Sequence, residues 1–446
     1  MILQLLTLTI LGAGLGYSAL FKGGVRASDW NVTLILTGVA ALIYWLSRPA
    51  RPKAHKMSPW LWIPIAILPL YALFQVLPLP ESAFALLSPQ RVEQTEALRR
   101  IAPTGWVTLS VFPPATVGYF FRMLAYLTVL LTIREITWMS SGGRWAVAIP
   151  LLVVGGLEAG LGMLQVAKRW PGGMAQGTYV DRDHFAGLLE MVLPFAVMYA
   201  IAIQRRADRR ERSPAGAAFA ASAAGGIAAL MLVGIIYSLS RMGFLVAICS
   251  LFVVTLMSVG PRLVSRRVRW LSLATLGTGA LLCFVFLPPD QLIARFADLA
   301  STDRITTDDR LHMWRETLPL IRAYPLFGCG LGGFESAFGQ FQIAMPTMIV
   351  DYAHNDYLQF AAELGIAGSL ILGTLLTGIL YATVGATLKQ PGVDGRSMAI
   401  ASLGSMIAMM LHSLVDFNMQ IPANGLTMAW IAGIALGLGV RGRVEA

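Results

Sequence analysis

Long apolar runs alternate with shorter polar segments along this chain of 446 residues. The runs are about 18 to 25 residues long, the length that a helix needs to cross a hydrocarbon core of roughly 30 Å. A scan with a window of about 19 residues predicts about twelve membrane spans. They lie near Ile2–Phe21, Trp30–Leu46, Pro59–Leu79, Ala115–Thr132, Trp145–Val166, His184–Ile203, Ala217–Leu239, Met242–Val259, Trp270–Leu287, Glu363–Leu388, Met398–Val415 and Leu426–Val440. The pattern therefore predicts an all-α, polytopic transmembrane helix bundle.

A long polar segment, from Pro288 to Tyr352, interrupts this pattern late in the chain and leads directly into His354. Within it, apolar residues recur at helical spacing from Leu311 to Ile321, which predicts a short amphipathic helix lying along the membrane interface. The glycine-rich run 328–333 predicts a turn before another interfacial helix. We therefore expect a large loop that contains short interfacial helices.

Charge predicts the orientation of the bundle. Apolar residues make up 56% of the chain and charged residues 13%, with a net charge of +10. The basic residues concentrate in short loops on one side, such as 205–212 and 262–269, and the positive-inside rule makes that side cytoplasmic, together with both termini. The loop 288–354 and the smaller loops 80–114 and 168–183 are then extracytoplasmic. This explanation of the positive charge, and the lack of a basic soluble domain with interleaved aromatic residues, argue against nucleic-acid binding.

Several classes of chemistry find no support in the sequence. Two of the three cysteines, Cys249 and Cys283, lie inside apolar runs, so no disulfide framework or cysteine metal site is expected. No phosphate-binding GxxxxGK[ST] motif and no dinucleotide-binding GxGxxG motif occurs. A reaction on the outer face therefore needs a substrate already carried across the membrane, and we expect a lipid-linked intermediate and no cofactor. Asp308 and Asp309 are open to two interpretations, as helix caps or as ligands of a divalent ion.

Two arginines near the outer face are candidates for binding an anion. Arg241 lies in a very short connection between two spans, where it either binds an anion inside the bundle or extends its charged tip to the interface from a helix end. Arg122 lies about two turns below the outer end of its span. Pairing with Glu158 or Glu190 would make Arg122 purely structural.

The segment 177–187 places more ionisable groups at the entrance of a span. Asp181 or Asp183 is suited to cap the helix that begins near His184. Arg182 and His184 remain as candidate substrate contacts.

Taken together, these features resemble the O-antigen ligase and O-antigen polymerase superfamily of bacterial membrane glycosyltransferases. That family has a large extracytoplasmic loop late in the chain, an outward-facing arginine near mid-chain and a histidine at the end of the loop. The resemblance extends from about Gly177 to Asn424, with Asp183 as a departure, since the family pattern predicts Asn there. The segments that carry it are 177–187, 239–241, Arg310 with Trp314, 325–332, 354–359, 412–417 and 421–424.

The resemblance implies a reaction and roles for particular residues. Members transfer a glycan from an undecaprenyl diphosphate carrier to an acceptor sugar, either lipid A core or another glycan repeat. An inverting transfer needs a base for the acceptor hydroxyl and positive charge for the departing diphosphate, and needs no metal if arginines supply that charge. His354 is the predicted base, with a helix cap as its alternative role, and Arg241 and Arg310 are the predicted diphosphate ligands. Further predicted substrate contacts are Arg122, Arg182, His184, Asn355 and Asp356.

The same reasoning predicts the organisation of the chain. Residues 1–176 form N-terminal transmembrane helices, 177–440 a ligase-related transmembrane domain that includes the loop 288–354, and 441–446 a cytoplasmic tail. The expected location is the bacterial inner membrane, with the active face extracytoplasmic. A transporter or flippase of lipid-linked glycans is the alternative, although the sequence shows no convincing inverted repeat and no matching pair of broken spans.

Overall fold

The computed structural model of the chain describes residues 2–47, 57–80, 82, 87–99, 106–140, 144–168, 173–208, 214–258, 307–344 and 346–441. Its α-helices are α1 (Ile2–Leu20), α2 (Ala27–Ser47), α3 (Pro59–Val76), α4 (Pro89–Arg99), α5 (Pro113–Met139), α6 (Ile149–Ala167), α7 (Arg182–Asp208), α8 (Pro214–Tyr237), α9 (Arg241–Ser258), α10 (Thr307–Ala323), α11 (Phe334–Phe338), α12 (Asp356–Lys389), α13 (Val393–His412) and α14 (Pro422–Arg441). Two short strands, β1 (Leu79–Pro80) and β2 (Trp106–Val107), pair antiparallel. The predicted all-α class is confirmed.

Within the described residues, nine helices are long and apolar enough to cross a membrane: α1, α2, α3, α5, α6, α7, α8, α9 and α12. The 20-residue helices α13 and α14 occupy two further predicted spans. The span predicted at Trp270–Leu287 lies outside the described residues. The multi-pass bundle is thus confirmed, whereas the count of about twelve spans is not.

Helix α7 lies at the centre of the bundle, and 78% of its most apolar 18-residue stretch is buried. It packs against α8, α13 and α9. Helix α14 packs closely on α5, because Gly433 and Gly437 leave no side chain in the contact: a Cβ at either position would lie within 2.7 Å of a carbonyl oxygen of α5. Such small residues let backbones approach in a membrane bundle.

Charged groups separate to the two ends of the bundle. Arg206, at the end of α7, lies 3.3 Å from Asp394 at the start of α13. Arg396 donates a hydrogen bond to Met257 O near the end of α9. The opposite end carries α10, α11 and the start of α12, so Arg206 and Arg396 lie at a different end from the described part of the long polar segment.

A helix, α10, forms where the apolar spacing predicts one. Met313 and Leu320 are buried against Phe334 and Phe338 of α11, whereas Leu311 is 38% exposed. One face of α10 thus packs on its own loop, and its position along the membrane interface stays a prediction.

The glycine-rich run forms the predicted turn before a helix, and backbone hydrogen bonds attach it to a break in α12. Cys329 N donates to Ala362 O at 2.9 Å and Ile366 N donates to Pro325 O at 2.8 Å. The break is at Gly365, whose φ of 61° and ψ of −168° are accessible to glycine alone. This attachment fixes the polar segment over the end of the bundle that carries His354.

Candidate functional site

Four distant parts of the chain meet beside the start of α12: the residues before it, the start of α7, helix α10 and the connection from α13 to α14. Asn355 begins the helix, since its Oδ1 accepts hydrogen bonds from Tyr357 N at 3.0 Å and Leu358 N at 3.1 Å. The capping role considered for His354 therefore belongs to Asn355. The side chain of His354 does not cap the helix and points towards Asp416.

The imidazole of His354 faces a buried carboxylate. Its Nδ1 lies 3.2 Å from Asp416 Oδ1. The backbone of His354 has a φ of +47°, which is uncommon for a residue other than glycine, and Trp314 Nε1 donates to its carbonyl oxygen at 3.2 Å. When Nδ1–H donates to Asp416, Nε2 carries the lone pair, and His354 is oriented as a base.

Asp416 is shared by three histidines. Besides His354, it has His184 Nε2 at 3.8 Å and His412 Nε2 at 4.0 Å. Burial raises the pKa of Asp416, but contacts with His184 and His354, together with the charge of Arg310, outweigh burial and hold the pKa well below its usual range. Asp416 is therefore an ionised acceptor at neutral pH.

A second carboxylate lies behind this group. Glu190 Oε1, on α7, is 2.9 Å from His412 Nδ1, on α13, and both side chains are at most 1% exposed. The ionisable cluster thus extends from the end of the bundle into its interior.

Aromatic rings hold the imidazoles in place. The ring of Phe417 contacts His184 and His354 edge to face, with centroids 4.5 Å and 4.7 Å away. Tyr352 stacks on the same ring at 4.2 Å. Phe417 is therefore packed between both histidines and Tyr352.

Arg310 joins the cluster from α10. Its Nη1 donates to Val415 O at 2.9 Å, and its Nη2 lies 3.7 Å from Asp183 Oδ2. The guanidinium thus lies next to the residue that precedes Asp416. Sequence reasoning selected Arg310 and His354 separately, and the structure brings them together.

Arg182 and Arg241 lie on either side of a contact between Met174 and Leu239. Arg182 Nη1 is 3.4 Å from Met174 Sδ, and Met174 packs on Leu239. Arg241, two residues later, begins α9 and is exposed. The helix-end position considered for Arg241 is therefore correct, and its chemical role stays a prediction.

Arg122 lies apart from the histidine cluster. Its guanidinium carbon is 4.7 Å from the Tyr119 ring centroid and 5.7 Å from that of Trp30. The two carboxylates considered as its partners are engaged elsewhere, because Glu158 binds Thr178 and Glu190 binds His412. Arg122 lines an apolar cavity of about 190 Å³ between α3, α5 and α12–α14.

The remaining predicted residues have contacts within the fold. Asp356 is 2% exposed and accepts hydrogen bonds from Ser413 Oγ at 2.8 Å and Met419 N at 3.0 Å. Asp181 Oδ1 accepts from Asp183 N at 2.7 Å at the start of α7, which confirms the cap predicted there. Substrate contact by Asp356 stays a prediction, and its burial makes it a residue that shapes the site.

Sequence reasoning assigned no role to Asp416, His412 or Phe417, although the segment 412–417 carries part of the family resemblance. It treated Glu190 only as a partner for Arg122. The available signal was an acid and a histidine within apolar helices, since ionisable residues in membrane spans commonly mark functional sites.

Metal binding was the alternative for Asp308 and Asp309. Among the described residues, no group of three or more histidine, cysteine, aspartate or glutamate side chains has a geometry suited to a metal ion. The side chains that meet at the site carry imidazole, carboxylate and guanidinium groups.

Part of the chain matches a known protein family. Residues 226–373 match the family model described as O-antigen ligase. The matched region begins in α8, ends in α12 and includes Arg241, Arg310 and His354. No curated protein matches the chain. Residues 226–373 of this multi-pass membrane protein are thus similar to the O-antigen ligase family, which confirms the resemblance of the chain to the O-antigen ligase and O-antigen polymerase superfamily.

Proposed function

We propose that the protein is a membrane glycosyltransferase that transfers a glycan from an undecaprenyl diphosphate carrier to an acceptor sugar, lipid A core or another glycan repeat. The observation that carries the proposal is the His354–Asp416 pair, with Nδ1 and Oδ1 3.2 Å apart, beside the guanidinium of Arg310. His354 and Arg310 lie within residues 226–373, which match the O-antigen ligase family model, and Asp416 lies outside them.

His354 acts as the general base. Its Nε2 takes the proton of the acceptor hydroxyl as the hydroxyl oxygen forms a bond to the anomeric carbon of the donor. Asp416 accepts the Nδ1–H hydrogen bond, keeps the ring in this tautomer and stabilises the imidazolium that forms. The bond from the anomeric carbon to the diphosphate oxygen breaks, and the diphosphate leaves with the electron pair.

Arginines stabilise the leaving group. Guanidinium groups are permanently charged and bind phosphate oxygens through two parallel hydrogen bonds, so Arg310 and Arg241 neutralise the charge that develops on the diphosphate. On this basis the transfer needs no divalent metal. Arg182 and His184, near the same end of the bundle, are further proposed substrate contacts, with Asn355 and Asp356 shaping the site.

Arg122 is proposed to contact the donor from the membrane side. The cavity that it lines is apolar, which suits the isoprenoid chain of the carrier, and a guanidinium at its edge suits the attached phosphate.

The site is proposed to lie on the extracytoplasmic face of the bacterial inner membrane. The basic loops lie at the opposite end of the bundle, and the positive-inside rule makes that end cytoplasmic. The proposed ligase unit is 177–440, including the loop 288–354, preceded by the N-terminal helices of 1–176 and followed by a cytoplasmic tail, 441–446.

A reconstitution experiment tests the proposal against a flippase. The purified protein is placed in liposomes that carry an undecaprenyl diphosphate-linked glycan and an acceptor, and both glycan transfer and leaflet exchange of the donor are measured. We expect transfer without leaflet exchange. Leaflet exchange without transfer would show a flippase and refute the enzyme.

A further inference from the structure

The ionisable groups behind His354 form a chain that alternates imidazole and carboxylate. Asp416 Oδ1 faces His354, and Asp416 Oδ2 lies 4.0 Å from His412 Nε2. His412 Nδ1 lies 2.9 Å from Glu190 Oε1. Side-chain exposure falls along this chain from 13% at His354 to 0% at Glu190. The last two groups are too deep in the bundle to touch a substrate at its surface.

Burying these groups among apolar helices is costly unless their charges compensate one another. An imidazolium at His412 would satisfy both neighbouring carboxylates, donating Nδ1–H to Glu190 and directing Nε2–H towards Asp416. The Glu190–His412 pair then carries no net charge, although each member alone carries one. This pairing explains how a glutamate is accommodated in the buried part of α7.

We propose that Glu190 and His412 are positioning residues for the transfer reaction. His412 holds Asp416 directed at His354, Glu190 holds the imidazole of His412 in place, and together they set the pH range over which His354 is available as a base. The inference rests on the proposed role of His354. Neither residue is assigned contact with the substrate.

Other charged groups surround the same chain and contribute to its field. Those that face Asp416, His412 or Glu190 from the neighbouring elements are Asp183 and His184 at the start of α7, Arg310 of α10, His354, and Asp356 of α12, and Asp181 in turn faces His184. Arg310 also contacts Asp183, and Asp356 also accepts from Ser413. The Glu190–His412 pair can therefore be altered one charge at a time while these groups are left in place.

The test is the pH profile of glycan transfer by reconstituted variants. His412→Gln removes a positive charge, so His354 should keep its proton to higher pH, and the midpoint of the acidic limb should move up by roughly one pH unit. Glu190→Gln removes a negative charge, so the midpoint should move down by a similar amount, with a lower kcat from a weaker base. The double variant should return to the midpoint of the parent.

Two controls separate charge from packing. Ser405→Ala removes a hydrogen bond to Met191 O across the same α7–α13 contact without altering a charge, and its midpoint should equal that of the parent. Glu190→Asp keeps the charge and should also keep the midpoint of the parent. It can still be measured if Glu190→Gln does not fold.

The outcomes distinguish this inference from the proposed function. Loss of activity in proportion to loss of folded protein, with an unmoved midpoint in His412→Gln and Glu190→Gln, would show a purely structural pair and overturn the inference. A midpoint shift in Glu190→Asp as large as in Glu190→Gln would also overturn it. Near-normal transfer by His354→Ala would instead refute the base itself, whatever the pair does.

Discussion

His354 adopts a left-handed backbone conformation, with a φ of +47°, at the last position before the cap of α12. Such a conformation costs roughly 1–3 kcal/mol and persists where the surroundings hold it. Here Trp314 binds its carbonyl oxygen and Asp416 binds its imidazole. These contacts thus hold the imidazole in one direction and offset the cost of the strained backbone.

His354→Ala should lower glycan transfer by roughly 10²- to 10⁴-fold, the usual contribution of a positioned general base. Transfer by the purified variant in liposomes measures this, with membrane insertion checked alongside. His312→Ala, which removes a histidine from α10, is the matched control and should remain active. Near-normal turnover of the His354 variant would refute its role as base.

Asp416→Asn should lower transfer by a similar factor, roughly 10²- to 10⁴-fold, because a neutral amide stabilises an imidazolium less than a carboxylate does. The acceptor KM should change little, since Asp416 is 2% exposed and its carboxylate faces histidines. An increase in KM with an unchanged kcat would contradict the orienting role.

The same substitution has a predicted effect on stability. Because the folded pKa of Asp416 is depressed, its charge stabilises the protein above the ordinary carboxyl pKa of about 4, and this stabilisation is lost as the pH falls through the folded pKa. The difference in Tm between parent and Asp416→Asn should be constant from about pH 7 to 5 and should narrow below about pH 4. Thermal unfolding in detergent across this range measures it, and a difference that widens in acid would contradict the assignment.

Arg310→Lys and Arg241→Lys should reach the membrane at normal levels and lose most transfer activity, since an ammonium does not reproduce the planar fork that binds a diphosphate. Donor binding should weaken as well. Arg322→Lys is the matched control, since Arg322 is exposed in the last turn of the same helix as Arg310. Full complementation of a deletion strain by both lysine variants would move the diphosphate site towards Arg122 and Arg182.

At the scale of elements, the break in α12 connects the polar segment to the bundle. The break is at Gly365, whose φ is 61°. A Cβ at this position would lie 2.5 Å from Gly328 N and 2.6 Å from Leu326 C. Both neighbours are backbone atoms, which cannot rotate away. The position of α12, and with it the approach of His354 to Asp416, depends on this glycine.

Gly365→Ala should therefore destabilise the protein by about 1–3 kcal/mol or more and lower transfer activity. Gly373→Ala on the same helix is the control, because no described atom beyond its chain neighbours and the backbone of its own helix lies within 4 Å of a Cβ at that position, and alanine favours a helix. Thermal unfolding of the two variants measures the difference. Equal stability would show that the backbone at Gly365 relaxes freely.

At the scale of the whole molecule, the arrangement of charge predicts independence from metals. If Arg310 and Arg241 neutralise the diphosphate, transfer should continue in the presence of EDTA, since guanidinium groups supply the charge that a divalent ion supplies in carboxylate-based enzymes. Transfer with and without EDTA measures this. Abolition by EDTA, with recovery on adding magnesium or manganese, would assign the role to Asp308 and Asp309.

The sequence by itself determined the class of the protein and the chemistry of its candidate residues. Membrane spans follow from the length of apolar runs, which is a local property, and the charge of short loops predicts an orientation. The same holds for α10, whose apolar spacing is contained in one helix. His354 and Arg310 were selected from the family resemblance and from their chemistry, since an imidazole can remove a proton near neutral pH and a guanidinium binds phosphate.

Only the tertiary structure decided which residues meet. His184, His354 and the segment that holds His412 and Asp416 come from three parts of the chain separated by membrane helices, and no local pattern encodes that three imidazoles share one carboxylate. The pairing of Glu190 with His412 depends likewise on the packing of α7 against α13. The packing of α10 on α11 also depends on the fold of the loop, which no local spacing encodes. Contacts between distant segments depend on how helices pack, and helix packing is a property of the whole bundle.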